Sequence, residues 1–310
     1  MNTLLKYKNE FFCGNISKSD YIDEMYKYHT LLFDYIELLS QSNIDLITID
    51  QSRLICRFKD SGIKFICTKG DKRLAPIDSI NFGIYESQEL DMSLNLISKE
   101  NTILDVGANY GWYSMNLAKK YPKCKIYTFE PIPSTYNSLN ENIKLNNFEN
   151  IHTFNIGLSD EEGSFKFYYD NTLSVNASLT NVSDSNNIKE TVCSVLTIDK
   201  FVEQQKINKI DFIKCDVEGA EFLVFKGGIE IIKRDLPIIF SEMLRKWSIK
   251  FNYHPNDIIA FFRNLGYDCF VLRENKLLKF LSVDENTVDT NYFFLHREKH
   301  HAQIQQFIFK

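Results

Sequence analysis

Acidic residues follow several short apolar runs of this chain, at the positions where strands of a sheet would end. Asp105 lies near the end of the first run, Glu130 directly follows the second, and Asp216 follows a later one. The carboxyl ends of parallel strands meet at one edge of a sheet, where doubly wound folds bind their ligands. Carboxylates at that edge attract a cation and repel the phosphates of a dinucleotide. The spacing therefore predicts a site for a positively charged cofactor.

A glycine-containing loop follows the first run and reads Asp105-Val106-Gly107-Ala108-Asn109-Tyr110-Gly111-Trp112. Gly107 and Gly111 allow the backbone to approach a ligand closely. A nicotinamide-binding loop would read G-x-G-x-x-G, but Asn109 replaces its second glycine and Trp112 its third. The loop thus disfavours the alternative of an NAD-dependent oxidoreductase on a Rossmann fold.

The ends of the second and third runs carry groups suited to a nucleoside. Glu130 can accept hydrogen bonds from both hydroxyls of a ribose. Ser159 and Asp160 could bond an adenine amino group, or they could form an ordinary turn. Spacing alone leaves these two interpretations of Ser159 and Asp160 open.

Three acids lie close together in the segment Lys214-Cys215-Asp216-Val217-Glu218-Gly219-Ala220-Glu221. Acids in the first turn of a helix complement its dipole, which accounts for Glu218 and Glu221 without any function. Asp216 lies at the strand tip, where we expect it to face the reacting groups.

Alternating strand and helix patterns from Thr102 onward predict a mostly parallel sheet that is covered on both faces. We expect three parts: an N-terminal helix and small β extension at 1–84, the main domain at 85–298 and a tail at 299–310. The polar segment Asn171 to Lys189 interrupts the pattern, and it is either a solvated loop or a lid over the substrate.

Composition and net charge indicate which kinds of binding partner and which cellular location to expect. The 310 residues carry a formal net charge of -5, whereas nucleic-acid-binding proteins usually carry a strong positive charge. No apolar run predicts a signal peptide or a membrane span. Seven irregularly spaced cysteines are typical of reduced thiols. We expect a cytoplasmic chain without nucleic-acid binding or stable membrane insertion, and a homodimer is one hypothesis for its assembly.

The motifs together resemble those of FkbM-type methyltransferases. The run from Ile103 to Gly111 is similar to the first motif of that family, and the run from Ile213 to Glu221 to its I-K-x-D-V-E-G-x-E signature. Phe129-Glu130-Pro131 and Leu158-Ser159-Asp160 resemble its second and third motifs. The resemblance implies an α/β class I methyltransferase fold, a Rossmann-like three-layer sandwich whose seven-stranded, mostly parallel sheet has the order 3-2-1-4-5-7-6.

The resemblance also implies S-adenosyl-L-methionine as cofactor and methyl transfer to a hydroxyl oxygen of a sugar, polysaccharide or related biosynthetic intermediate. It assigns the methionine part to the first motif, the ribose to Glu130 and the adenine to Ser159 and Asp160, and it brings Glu86, in Tyr85-Glu86, near the cofactor. The residues implied for the methionine part are Asp105, Gly107, Ala108, Asn109 and Gly111.

An aliphatic hydroxyl is a poor nucleophile, so a base or a metal should help to remove its proton. His254 is the histidine candidate for the base, and Asp216 and Glu242 are the carboxylate candidates. Asp216 and Glu242 could instead share a magnesium ion, although no dedicated metal-ligand spacing is present. A non-catalytic methyltransferase-like partner protein is the remaining alternative.

Overall fold

The computed structural model describes residues 3–170, 173–180 and 188–309. Its N-terminal part combines helices with a three-stranded antiparallel sheet in the order β1-β2-β3. In chain order these elements are α1 (Thr3–Phe12), α2 (Lys18–His29), α3 (Leu31–Ser40), β1 (Ile44–Ile49), β2 (Leu54–Phe58), β3 (Lys64–Cys67) and α4 (Ala75–Phe82).

This extension contains more helices than the sequence pattern indicates. The Ser17 side chain accepts a hydrogen bond from Asp20 N and so starts α2, while Thr30 ends α2 and precedes α3. The expected single helix is therefore two, and α1 comes before both. Within α1, α2 and α3, which are described throughout, no residue is buried, and Leu39 of α3 packs against the core while partly exposed.

The rest of the chain alternates strands and helices. In chain order its elements are α5 (Ser87–Leu96), β4 (Thr102–Val106), α6 (Trp112–Lys120), β5 (Lys125–Phe129), α7 (Pro133–Leu145), β6 (Ile151–Phe154), β7 (Gly157–Leu158), β8 (Gly163–Asp170), β9 (Leu173–Ser178), β10 (Ile188–Leu196), α8 (Ile198–Gln204), β11 (Phe212–Cys215), α9 (Glu221–Lys226), α10 (Ile229–Asp235), β12 (Ile238–Glu242), α11 (Arg245–Ser248), α12 (Pro255–Asn264), β13 (Tyr267–Arg273), β14 (Lys276–Phe280), β15 (Asn291–His296) and α13 (His301–Phe307).

The main sheet has the strand order β14-β13-β15-β12-β11-β4-β5-β6. Strands β6, β5, β4, β11 and β12 run parallel, and β15 enters antiparallel beside β12. From β6 to β13 this is the expected order 3-2-1-4-5-7-6, which confirms the class I methyltransferase fold. The sheet has eight strands rather than seven, because β14 pairs with β13 at the edge.

Successive residues of the central strands contribute to different layers of the core. Ile103 of β4 belongs to one buried apolar cluster, and its neighbour Leu104 belongs to another. Phe212 and Ile213 of β11 divide in the same way. Because strand side chains alternate between faces, both faces of the sheet are covered, as a three-layer sandwich requires.

A second sheet of four strands, in the order β7-β10-β8-β9, is inserted after β6. It contains part of the polar segment for which a loop or a lid was predicted. Residues 171, 172 and 181–187 of that segment lie outside the described residues.

At the other end of the chain, Ile308 forms a parallel bridge with Leu277 of β14. The division of the chain at residues 84 and 298 remains a prediction. No helix within the described ranges has the length and apolarity that a membrane crossing needs.

Candidate active site

The carboxyl ends of β4, β5 and β11 open into one cleft with a volume of about 610 Å³, counting the space at its mouth. Its wall includes Gly107, Asn109, Glu130 and Asp216, all predicted from the sequence, together with the unassigned Glu218. The structure therefore brings together residues that lie more than one hundred positions apart in the sequence.

Asp105 lies beneath the cleft and is fully buried. Its Oδ2 atom accepts a hydrogen bond of 2.5 Å from Ser114 Oγ, and its Oδ1 atom lies 3.8 Å from Lys214 Nζ. Burial raises the pKa of Asp105, and the nearby Asp216 adds to this effect, whereas Lys214 and Ser114 oppose it. Asp105, which was predicted to provide negative charge at the cofactor site, thus depends on a cation within the protein for its charged form.

That partner, Lys214, is a buried cation of strand β11. Its Nζ atom donates to the Gly107 carbonyl oxygen at 2.8 Å and to Asp216 Oδ2 at 3.2 Å. Burial alone would lower the pKa of Lys214, but Asp216 and Asp105 outweigh burial and raise it. Lys214 therefore stays charged and joins the ends of β4 and β11.

The glycines of the first loop are required by the protein itself. Gly107 has a φ of +74°, and a Cβ atom there would lie 1.8 Å from the Asp216 carbonyl oxygen. A Cβ atom at Gly111 would lie 2.6 Å from Leu139 Cδ1. The sequence predicted that a ligand would approach the backbone at these two glycines. In the structure, atoms of neighbouring residues lie that close instead. Ala108 N donates to the Phe129 carbonyl oxygen at 3.0 Å and so fixes the loop against β5.

Glu130 connects this loop to the end of β5. Its Oε2 atom accepts from Asn109 N at 3.1 Å, and its Oε1 atom accepts from Ile132 N at 2.9 Å. Burial raises the pKa of Glu130 to about 7. A carboxylate has about four acceptor positions, so Glu130 can hold its two backbone amides and still accept from a ligand in the cleft.

Ser159 and Asp160 lie next to the cleft rather than on its described wall, which their neighbours Gly157 and Leu158 line. Ser159 Oγ is 3.3 Å from Asp160 Oδ1, and Asp160 Oδ2 pairs with Lys226 Nζ at 2.6 Å. Both residues line an adjacent depression. Adenine binding by Ser159 and Asp160 remains a prediction. Asp160 would have to bind adenine in addition to, or in place of, its ion pair with Lys226.

Asp216 and Glu242 form a carboxyl pair at the ends of β11 and β12. Burial, then the charges of Asp216 and Glu86, and a hydrogen bond with Asp216 raise the pKa of Glu242 to about 9. Glu86 is exposed as a whole residue, but many protein atoms surround its carboxyl group. Burial of that group, and then the charge of Asp216, raise the pKa of Glu86. The three carboxyl groups therefore lie close enough to influence one another, but among the described residues Glu86 and Glu242 do not line the cleft wall, and their roles remain predictions.

His254 is placed differently from these carboxyl groups. It is exposed and caps α12: its Nδ1 atom accepts from Asn256 N at 3.2 Å, and its backbone N donates to Asp257 Oδ2 at 2.8 Å. It does not contribute to the cleft wall within the described residues. The role of His254 as a base remains a prediction, while its capping contacts give it a structural role.

Of the two acids that a helix dipole could explain, Glu221 does lie in the first turn of α9, whereas Glu218 does not. Helix α9 begins only at Glu221, so Glu218 precedes its first turn and faces the cleft instead. Burial, with the charges of Asp216 and Glu242, raises the pKa of Glu218 well above its usual range. Glu221 is buried and accepts from Tyr253 Oη at 3.0 Å. The sequence signal for both was the acidic run itself, but the helix start was misplaced.

The inserted sheet supplies the opposite wall of the cleft through Phe167 and Leu179. Ser178 Oγ donates to the Glu218 carbonyl oxygen at 2.8 Å and connects that wall to the acidic loop. The magnesium alternative gains no support, because residues 3–170, 173–180 and 188–309 contain no group of three or more acid, His or Cys side chains that could hold a metal ion.

Comparison with known proteins supports the same assignment. Residues 105–269, more than half of the chain, match the family model described as a methyltransferase FkbM domain. The chain is 24% identical over 179 residues to Methyltransferase 1 of Beauveria bassiana, which covers 47% of this chain and 72% of that protein. It is 29% identical over 153 residues to methyltransferase sdnD of Sordaria araneosa, covering 40% and 59%.

A third relative is the 2-O-methyltransferase NoeI of Sinorhizobium fredii, which is 26% identical over 155 residues, covering 46% of this chain and 63% of NoeI. The chain thus spans about 60% of two of these relatives and 72% of the first. With the strand order, the acidic strand ends and the family match in agreement, this chain belongs to the FkbM methyltransferase family.

Proposed function

We propose that this protein is an S-adenosyl-L-methionine-dependent O-methyltransferase that acts on a hydroxyl group of a sugar, polysaccharide or related biosynthetic intermediate. The observation that carries the proposal is the cleft at the carboxyl edge of the sheet. Its carboxyl groups outnumber the one buried ammonium group beside it, that of Lys214. Such a cleft favours a ligand with positive charge.

The residues present fit this cofactor. Glu130 retains acceptor positions for the ribose hydroxyls, and the first loop presents Gly107 and Asn109 to the cleft. Glu218 Oε2 is buried with no hydrogen-bond partner in the described parts of the chain, so a ligand would meet an unsatisfied acceptor there. When bound, the cofactor supplies an activated methyl group on a sulfonium.

Asp216 and Glu242 would supply the base. The hydrogen bond between them and the pKa of Glu242, raised to about 9, support a role in which Glu242 exchanges a proton near neutral pH. A pair that holds a proton and can release it is suited to accept one from a hydroxyl group. Lys214 fixes the position of Asp216 through its 3.2 Å contact. His254 would be the alternative base if the region between α12 and the cleft rearranges on binding.

A relative and the charge of the chain support the acceptor class. The relative NoeI is a 2-O-methyltransferase by name, and a hydroxyl acceptor needs the base that the acidic pair would provide. A net charge of -5 supports a small-molecule or glycan acceptor over a nucleic acid. A homodimer and a cytoplasmic location belong to the same proposal.

Isothermal titration calorimetry with S-adenosylmethionine, S-adenosylhomocysteine and NAD tests the cofactor. We expect the first two to bind and NAD not to bind; binding of NAD alone would favour the oxidoreductase alternative. Transfer of a labelled methyl group to a panel of glycosides and cell glycans tests the reaction. Cofactor binding by this protein without transfer to any acceptor, while a methyltransferase used as positive control transfers the label, would favour the non-catalytic partner.

A further inference from the structure

Glu218 occupies a backbone conformation that its residue type rarely adopts. Its φ is +56°, in the left-handed region, which is sterically unfavourable for residues with a Cβ atom. Such outliers persist where the surroundings fix them, and they cluster at functional sites. The conformation delays the start of α9 and turns the Glu218 side chain toward the cleft.

The surroundings of Glu218 hold this conformation from three sides. Glu221 Oε1 accepts from Val217 N and from Gly219 N, both at 3.0 Å. Ser178 Oγ donates to the Glu218 carbonyl oxygen at 2.8 Å. A Cβ atom at Gly219 would lie 2.9 Å from Trp247 Cβ, so the loop has no room to move toward α11. The protein thus fixes the backbone on both sides of Glu218 but not its carboxyl group.

That carboxyl group is both buried and unsatisfied. Glu218 Oε2 has less than 1 Å² of accessible area and no hydrogen-bond partner within the described chain. The charged groups with the largest effect on it are the acids Asp216, Glu242 and Glu221, and the cation Lys214 opposes them. Burial and these acids disfavour the ionised form of Glu218, and a positive charge in the adjacent cleft would favour it.

We propose that the Glu218 carboxylate is the counter-charge for the sulfonium of the methyl donor. Position favours the sulfonium over the donor's ammonium group, because Glu218 follows the tip of β11 with Asp216, whereas the residues implied for the methionine part lie at the end of β4 and in the loop after it. A sulfonium donates no conventional hydrogen bond, so its partner needs charge and burial rather than a fixed donor geometry, which matches Glu218. This inference rests on the proposed function.

Three ligands that differ stepwise in charge separate the possible roles of Glu218. S-adenosylmethionine carries the sulfonium and the ammonium, S-adenosylhomocysteine carries the ammonium without the sulfonium, and 5′-methylthioadenosine carries neither. Affinities of the full-length wild type and Glu218→Gln are measured by isothermal titration calorimetry. Glutamine keeps the shape of the side chain and removes its charge. Glu203→Gln, on the surface of α8, is the matched control and should leave all three affinities unchanged.

We expect Glu218→Gln to weaken S-adenosylmethionine about tenfold or more, since contacts with charged groups are the strong ones, and to change the other two ligands less than about twofold. Equal losses for both amino-acid-bearing ligands would assign Glu218 to the ammonium and overturn the proposal. Equal losses for all three would make it a structural residue, and no loss would also refute the inference. If the wild type binds none of them, the proposed function itself fails.

Should Glu218→Gln fail to fold, Glu218→Met provides the same comparison without an amide group. The thermal shifts produced by saturating S-adenosylmethionine and S-adenosylhomocysteine then replace the titration. A smaller shift with the first ligand alone supports the proposal, and unchanged or equally reduced shifts contradict it.

Discussion

Replacing Lys214 with methionine removes the one buried ammonium group that joins the ends of β4 and β11. Methionine fills a similar volume but cannot donate to the Gly107 carbonyl oxygen or pair with Asp105 and Asp216. Asp105, with its fully buried side chain, then has no cation within reach. Removing one partner of a buried ion pair is usually far more costly than losing an exposed pair.

The size of the loss is limited because Asp105 can take up a proton instead of remaining a buried, unpaired ion. Neutralising an aspartic acid of ordinary pKa about 3.9 costs about 1.4 kcal/mol for each pH unit above that value. The ceiling is therefore about 4 kcal/mol at pH 7 and about 1.5 kcal/mol at pH 5. Because the pKa of Asp105 is raised even beside Lys214, we expect about 2 to 4 kcal/mol at pH 7 and less than about 1.5 kcal/mol at pH 5.

Urea denaturation of the wild type and Lys214→Met at both pH values measures this difference. Lys226→Met is the control, because its pair with Asp160 at 2.6 Å is partly exposed and should contribute at most about 1 kcal/mol. A loss for Lys214→Met that is the same at pH 5 and pH 7, or that does not exceed the loss in the control, would show that Asp105 does not depend on Lys214 for its charge.

Three further predictions concern the loop, the carboxyl pair and the acidic run. Gly107→Ala, whose methyl group would meet a backbone carbonyl oxygen at 1.8 Å, should weaken S-adenosylhomocysteine binding more than about tenfold in calorimetry. Gly62→Ala, with φ +68° but open space, should lose only about 1 kcal/mol of stability and keep the affinity. Because folding raises the pKa of Glu242 to about 9, its contribution is full in acid and is lost as pH rises toward 9; Glu242→Gln should flatten that fall in urea midpoints. Tyr253→Phe removes the hydroxyl that contacts the Gly219 carbonyl oxygen at 2.8 Å and Glu221 Oε2 at 3.0 Å; it should lower the free energy of unfolding by about 1 kcal/mol, and an unchanged urea midpoint would contradict a stabilising role for these two contacts.

The sheet was predictable because its strands are short apolar runs between helical segments. Strand β5 at Lys125–Phe129 and helix α6 at Trp112–Lys120 lie in the region from Thr102 onward where alternation was predicted. Their boundaries are set by local signals: the glycine loop before α6 and the acid after β5. The N-terminal helices were less predictable, since Thr30 interrupts an otherwise continuous helical pattern and no buried face distinguishes one helix from two.

The acidic strand ends were predictable as a group, but their individual roles were not. A helix dipole accounted for Glu218 on the assumption that a helix starts near Gly219. The left-handed backbone of Glu218 moves that start to Glu221. Only Gly, Asn and Asp adopt this conformation readily, so the sequence does not predict it at a glutamate. Tertiary contacts determine this backbone conformation, and the conformation determines whether the Glu218 carboxyl group complements a helix or faces the cleft.

Lys214 shows the same limit for a buried charge. It lies within the apolar run of β11, where every residue is buried, so the pattern of hydrophobicity cannot tell which face it occupies. The strand register decides, because it places Lys214 directly opposite Asp105 on β4. A lysine in that position pairs with Asp105 beneath the cleft at 3.8 Å and with Asp216 at 3.2 Å, and it is the buried lysine among the described residues. Under the proposed function, the carboxyl charge that Lys214 does not neutralise is the part of the site that would pair with a positively charged ligand.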